Sequence, residues 1–490
     1  MNKINIGVIA AAGKGTRAYP LTTFVPKPLF RIENKSILAH NIDLMVRKFG
    51  VQKIYILVGH LKNQMIEEID RLKFSGLQVK LEAAEWTTKG LASDVASLEN
   101  RITEPFLTIL GDEFYYKTDH EMFLETYKKF PDLVASIGIV NTSILSRIRK
   151  NYSVELDGLQ IKNLVEKPEN PMNNLLGLGS YLFTPDYFKY FKETPASPKS
   201  GVIEITDVID KMAKSTGKVY ATHLKSEYYN INSMQDYHAA VYDIRNDKFP
   251  SYKTSLIVPT KNNDRSISDV LTDFKDKVHE ILLIDADSKD NTIEIANSFK
   301  ARVVNFSLEE EVDNLGRQIR EGLENATGDI LIVVSPDGSF RSKDLPKLME
   351  YIKDCDMVIG TRTTRQMIEQ GSNLKPLSRF INLFLGKLVE VFWWSQEPRF
   401  TDVDCKYMVI WKDSFLKVNP SLIVKNRFYS VEMMIEIIRH HMRCIEIPIS
   451  YFKPVQSKEY RLRDAILDAK KVIGIILRKK KEDLFPKKEN

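Results

Sequence analysis

The chain is 490 residues long, too long for one ordinary core, and its length favours two to four domains. At 43% hydrophobic and 28% charged it excludes bulk disorder. A formal net charge of +6 gives no sign of nucleic acid as a partner, but it suits phosphate-bearing substrates or an anionic membrane surface. Cys355, Cys405 and Cys444 have no paired spacing, which excludes a disulfide framework or a structural zinc site and fits a reducing cytoplasm.

In chain order, Ile4–Ala12 is apolar enough for the core of a signal peptide. Gly13-Lys14-Gly15 follows at once, however, and a buried first strand is the better reading. Ser36–Phe49 has helical spacing, with Ile37, Leu38, Ile42, Met45, Val46 and Phe49 inward. The pattern then predicts strand Lys53–Val58, helix Lys62–Lys73, strand Leu77–Glu82, helix Leu91–Glu99 and strand Phe106–Leu110. Such alternation builds a mostly parallel sheet flanked by helices, with ligands beyond the carboxyl ends of the strands. A polar break at Arg245–Lys253 ends this half. The pattern restarts with strand Ser255–Val258, helix Ile267–Lys275, strand Glu280–Ile284, helix Thr292–Phe299 and strand Gly328–Val334. The expected domains are 1–246, 252–460 and a terminal 461–490 segment of amphipathic helix and basic tail. No stretch is apolar for long enough to span a membrane.

The loop Ala12-Gly13-Lys14-Gly15-Thr16-Arg17, with Pro20-Leu21-Thr22 and Pro26-Lys27, follows the first strand. Glycines let backbone N–H groups approach phosphate oxygens, and Arg17 and Lys27 bring fixed positive charge. This points to a triphosphate site. The segment resembles the signature of sugar-1-phosphate nucleotidyltransferases, and the resemblance runs to about residue 240. It implies that Gly90-Leu91-Ala92 contacts the base and that Asp112 binds metal. Glu166-Lys167-Pro168 would hold the sugar phosphate, and Gly179–Phe183 and Asp207 would line the sugar side. Asn230 stands where most members carry a second metal-binding aspartate; its amide oxygen can still ligate Mg²⁺ or Mn²⁺. Glu85 stands where thymidylyl- and uridylyltransferases often place glutamine. A carboxylate only accepts hydrogen bonds, so the base stays open. The implied reaction joins a nucleoside triphosphate (NTP) and a sugar 1-phosphate and releases pyrophosphate.

From residue 252 the chain resembles inverting family-two glycosyltransferases, especially those acting on polyprenyl phosphate, and the resemblance implies a GT-A-like fold. Asp285 and Asp287, in Ile284–Thr292, would contact the nucleotide of a nucleotide-sugar donor. Ser335-Pro336-Asp337 replaces the family's Asp-x-Asp and leaves Asp337 as metal ligand. Arg362 would bind substrate. A sugar-hydroxyl acceptor on a glycan would need a base, for which Asp402, Asp404 and Glu432 are candidates; a lipid phosphate, already ionised, would need none. Apolar Phe380–Trp394, and Val472–Leu477 running into Arg478–Lys481, suit peripheral contact with the inner face of a membrane. His40, His60, His440 and His441 read as structural. A rival reading has CTP-dependent activation of a non-sugar phosphate and a second half that only binds or docks.

Overall fold

A computed structural model describes residues 4–74, 76–85, 90–198, 200–306, 313–365, 374–396, 398–455 and 462–485. The chain forms two compact units, Met1–Ala240 and Val241–Asn490.

The strands of the first unit are β1 (Ile6–Ala11), β2 (Arg31–Ile32), β3 (Lys35–Ser36), β4 (Lys53–Val58), β5 (Lys80–Glu85), β6 (Phe106–Leu110), β7 (Glu113–Tyr116), β8 (Ala135–Asn141), β9 (Tyr152–Asp157), β10 (Gln160–Glu166), β11 (Leu175–Phe183), β12 (Val219–His223) and β13 (Glu227–Asn230). Nine of them form one sheet in the order β5-β4-β1-β6-β11-β8-β12-β10-β9. The run β5-β4-β1-β6 is parallel. Beyond it β11 is antiparallel to both β6 and β8, and β9 and β10 form an antiparallel pair. Short β2 pairs with β3, and β7 with β13, outside this sheet.

β1 is buried on both faces, which is why it reads as an unbroken apolar run. Val8 packs into the core on one side of the sheet, with Phe106, Ile137 and Phe183. Ile9 packs into the core on the other, with Leu38, Ile56 and Ile109. The helix expected at Ser36–Phe49 starts at Ile37, where Ser36 Oγ caps Ala39 N, and loosens into a wider turn over Met45–Phe49. The strand expected at Leu77–Glu82 lies at Lys80–Glu85, because pairing with β4 matches Lys80 to Lys53 and Glu85 to Val58.

The second unit holds β14 (Thr254–Thr260), β15 (Glu280–Asp285), β16 (Arg302–Asn305), β17 (Ile330–Val333), β18 (Met357–Thr361), β19 (Met408–Trp411) and β20 (Cys444–Pro448). Their order is β16-β15-β14-β17-β19-β18-β20. The first four are parallel, β19 runs antiparallel between β17 and β18, and β20 is parallel to β18. The carboxyl ends of β14, β15, β17 and β18 therefore share one edge.

Three helices, Pro376–Phe392, Tyr429–Arg439 and Leu462–Leu484, pack together through Leu385, Val389, Met434, Ile435, Val472 and Ile476. In the terminal segment, expected as an amphipathic helix and basic tail, the helix runs on through Arg478–Lys481 to Leu484. Val472, Ile475 and Ile476 are core residues. Lys479 is 1% exposed between Glu432 and Glu436, at 2.9 and 2.8 Å, because a buried ammonium needs carboxylate partners. Leu377, Phe380, Phe384, Val391 and Trp394, in and just beyond helix Pro376–Phe392, are exposed, as are Ile466, Leu467, Leu477 and Leu484 on the terminal helix. Among the described residues, no helix is long and apolar enough to cross a membrane.

Candidate active sites

The loop after β1 is built of three short turns, Thr16–Ala18, Leu21–Thr23 and Lys27–Leu29. Gly15 has φ 62°, and a Cβ there would lie 2.9 Å from Lys27 Cε. Glycine thus serves twice, adopting the left-handed conformation and making room for the lysine stem. Lys27 is buried along that stem, and its ammonium reaches Asp112 Oδ2 at 3.2 Å. Gly13, Thr16 and Arg17 line the exposed side of the loop, while Ala12 is buried.

From Asp112 a continuous set of hydrogen bonds runs across the unit. Ile231 N donates to Asp112 O at 3.0 Å, which sets Asn230 beside the aspartate. Asn230 Nδ2 donates to Asn151 Oδ1 at 2.8 Å, and Asn151 O accepts from Lys167 N at 2.7 Å. Lys167 Nζ pairs with Glu166 Oε1 at 3.2 Å, and Thr206 Oγ1 donates to Glu166 Oε2. Burial raises the Glu166 carboxyl above its ordinary range, and does the same to Asp207 on helix Ile205–Thr216. Lys27, Asp112, Asn230, Lys167 and Glu166 are therefore joined into one constellation.

One member of this set, Asn151, and one residue beside it, Glu113, escaped the sequence reading. Asn151 lies between a short helix and β9, with no motif to mark it. Glu113 is 1% exposed and accepts hydrogen bonds from Tyr115 Oη, from Tyr228 Oη at 2.6 Å and from Gly179 N at 2.8 Å. Burial pushes its carboxyl up to about 7, against these hydrogen bonds. An acidic residue inside Glu113-Phe114-Tyr115-Tyr116 was the available signal.

Glu85 and Gly90 are not tied into this set by side-chain contacts. Glu85 ends edge strand β5, exposed and paired with Lys62 at 2.8 Å. Gly90 opens helix Leu91–Ala96 and faces Val202.

In the second unit Asp285 is buried at the end of β15 and accepts from Ser288 N, Ser288 Oγ and Thr260 Oγ1. Asp287 is exposed and paired with Lys289. Past β17, Asp337 Oδ1 is held by the N–H and hydroxyl of Ser339. Arg362 follows β18 on the same edge, and its guanidinium lies over the Tyr451 ring at 5.1 Å.

Asp402, one of the candidate bases in the sequence, pairs with Arg362. It has no exposed surface and clamps Arg362, accepting Nε at 2.7 Å, Nη2 at 2.8 Å and the backbone N–H at 2.9 Å. Glu446, which burial pushes up to about 7, accepts from Thr401 N and Asp402 N and fixes the clamp from behind. Asp404 pairs with Lys406 at 2.6 Å, and buried Glu432 with Lys479 and Arg478. All three candidate bases are committed to cations. His40, His60 and His440 each contact a backbone carbonyl.

The nucleotidyl transferase family model matches residues 6–247, and that of glycosyl transferase family 2 matches residues 255–407. The UTP–glucose-1-phosphate uridylyltransferase AglF of Haloferax volcanii is 30% identical over 229 residues, 47% of this chain and 92% of that relative. A putative UTP–glucose-1-phosphate uridylyltransferase of Bacillus subtilis is 27% identical over 50% of this chain and 99% of its own length. A solved UDP-glucose pyrophosphorylase in complex with UDP-glucose is 25% identical over 51% of this chain and 99% of its own, with a TM-score of 0.45. The chain is a transferase that belongs to the nucleotidyl transferase family through its first half and carries a glycosyl transferase family 2 region in its second.

Proposed function

We propose that the first unit joins an NTP to a sugar 1-phosphate, releasing pyrophosphate, and that the second transfers a sugar from a nucleotide sugar to an ionised phosphate acceptor such as a polyprenyl phosphate. The observation that carries the first reading is the constellation from Lys27 through Asp112 and Asn230 to Lys167. It spans a triphosphate loop and a lysine suited to a second phosphate. Lys27 and Arg17 would neutralise the triphosphate and the departing pyrophosphate, and Lys167 would orient the attacking phosphate oxygen. Names of the relatives make UTP and glucose 1-phosphate the first pair to assay.

Among the described residues no group of three or more His, Cys, Asp and Glu side chains could hold a metal ion unaided. Asp112 and Asn230 nevertheless fit a hard cation that also takes phosphate oxygens. Asn230 Oδ1 is buried with no hydrogen-bond partner, and an amide oxygen in that state is a ready ligand. Mg²⁺ or Mn²⁺ held there would offset charge on the transferring phosphates. In the second unit Asp337 would take the same role toward the donor diphosphate.

The acceptor reading rests on the fate of the three candidate bases. A sugar hydroxyl must lose its proton to attack, and Asp402, Asp404 and Glu432 are each bound to cations. A phosphate arrives ionised and needs no base. The exposed apolar face of helix Pro376–Phe392, with Phe380 69% and Trp394 71% exposed, supports peripheral membrane contact where such a lipid resides. Joining the two activities in one chain would raise the local concentration of the shared nucleotide sugar.

Pyrophosphate release from a panel of NTPs and sugar 1-phosphates tests the first activity, and silence with every pair sinks it. Transfer of labelled sugar to polyprenyl phosphate tests the second. Transfer only to sugar hydroxyls would overturn the acceptor reading.

A further inference from the structure

Glu113 has a place in the fold that its neighbours in sequence do not suggest. β7 and β13 form a two-stranded ribbon in which Glu113 pairs with Asn230 and Tyr115 with Tyr228. Cross-strand partners share a face, and so do residues two apart on one strand. Glu113, Tyr115, Tyr228 and Asn230 therefore stand together on one face of the ribbon. Glu113 Oε1 accepts from Tyr228 Oη, two residues before Asn230, while Oε2 accepts from Tyr115 Oη and from Gly179 N on β11. A Cβ on Gly179 would lie 2.7 Å from Glu113 Cδ, so the absence of a side chain there makes room for this carboxylate.

The carboxylate thus ties three segments: its own strand, which starts right after Asp112; β13, which ends at Asn230; and β11, which carries the sugar-side residues. We propose that Glu113 is a positioning residue that sets the spacing of Asp112 and Asn230 and locks it to the Gly179 strand. It touches no reacting atom. Its work is to keep two oxygen ligands from different strands at a distance one cation can bridge, while holding the sugar pocket in register with them. This inference rests on the nucleotidyltransferase reading above.

The test uses the full chain with Glu113→Gln. The glutamine keeps the volume but turns one acceptor oxygen into an N–H donor facing groups that themselves donate. Glu113 acts on the two oxygen ligands through their strands and not by bonding to them, so the effect lies at the low end of the roughly 10–100-fold range that a ligand's direct hydrogen-bond partner governs. Mn²⁺ binding, followed by electron paramagnetic resonance with saturating NTP, should weaken by that order in the variant. KM for the sugar 1-phosphate should rise about tenfold, while KM for the NTP should stay within about twofold, since the triphosphate loop does not contact Glu113. Tyr228→Phe removes one hydrogen bond and keeps the carboxylate. It should give a smaller shift of the same kind, and it serves in place of Glu113→Gln should that variant not fold. A lowered Tm with Mn²⁺ affinity and sugar-phosphate KM unchanged would reduce Glu113 to a packing role and overturn the proposal. Wild-type chain that releases no pyrophosphate with any substrate pair would overturn the underlying activity instead.

Discussion

Asn230 and Asn151 are joined side chain to side chain, Nδ2 to Oδ1 at 2.8 Å, and this bond fixes which end of the Asn230 amide is spent. The nitrogen is occupied and the buried oxygen is left over. Asn230→Ala should raise the Mg²⁺ concentration for half-maximal pyrophosphate release at least tenfold. Asn151→Ala should do so more weakly, because the amide then loses its orientation but not its oxygen. Mg²⁺ titrations of initial rate for the two variants check the ranking.

Gly15 and Lys27 yield a second prediction. A methyl at position 15 meets both a left-handed backbone and the lysine stem, and the backbone part alone costs about 1 kcal/mol. Displacing the ammonium matters more, since misplacement by about 1 Å can cost on the order of 100-fold in rate. Gly15→Ala should therefore lose activity far out of proportion to its change in Tm. Comparing kcat/KM for the NTP with the melting curve checks this.

The Arg362–Asp402 clamp is a buried ion pair, and removing one partner of such a pair costs about 3–5 kcal/mol. Asp402→Ala should lower the Tm of the second unit and weaken donor binding, while pyrophosphate release by the first unit persists. An Asp402→Asn variant of unchanged Tm and donor affinity that loses only turnover would mark Asp402 as a base after all.

Asp94 makes stability fall with rising pH. It is buried, its Oδ1 has no hydrogen-bond partner, and burial pushes its carboxyl from 3.8 up to about 7. Between those values the folded chain holds a proton that the unfolded chain has released. Stability from this group is thus fully present below about pH 4, declines as pH rises towards 7 and is flat above that. At about 1.4 kcal/mol per pH unit this amounts to about 4 kcal/mol, a contribution that would lower the Tm by roughly 8–16 °C between pH 4 and pH 8. Asp94→Asn should flatten that slope, and differential scanning calorimetry across the range would show it.

Much of the first site was legible because its residues are contiguous and their chemistry is local. A glycine loop after an apolar strand, a lysine after a proline and an aspartate at a strand end each suit a phosphate or a cation, as can be read without reference to distant chain. The parallel half of each sheet was legible for the same reason, since strand–helix–strand alternation is a local pattern. The antiparallel half of the first sheet was not, because it depends on β11 inserting between β6 and β8, a pairing between segments far apart in sequence.

What the sequence determined by itself was the class of chemistry: a nucleotidyl transferase half and a glycosyl transferase half, residue types suited to phosphate, and the departures at Asn230 and Ser335. Only the tertiary structure decided which partners those residues meet. The fold sets the buried carboxylate of Asp402, a candidate base in the sequence, against the guanidinium of Arg362. It drew Lys479 out of a basic tail and into the core between Glu432 and Glu436. It also placed Asn151 where it links Asn230, beside the Gly13–Lys27 loop's partner Asp112, to Lys167, and Glu113 where it ties β7, β13 and β11. Hydrogen-bond partners that lie tens of residues apart carry no local signature, so the fold alone could reveal them.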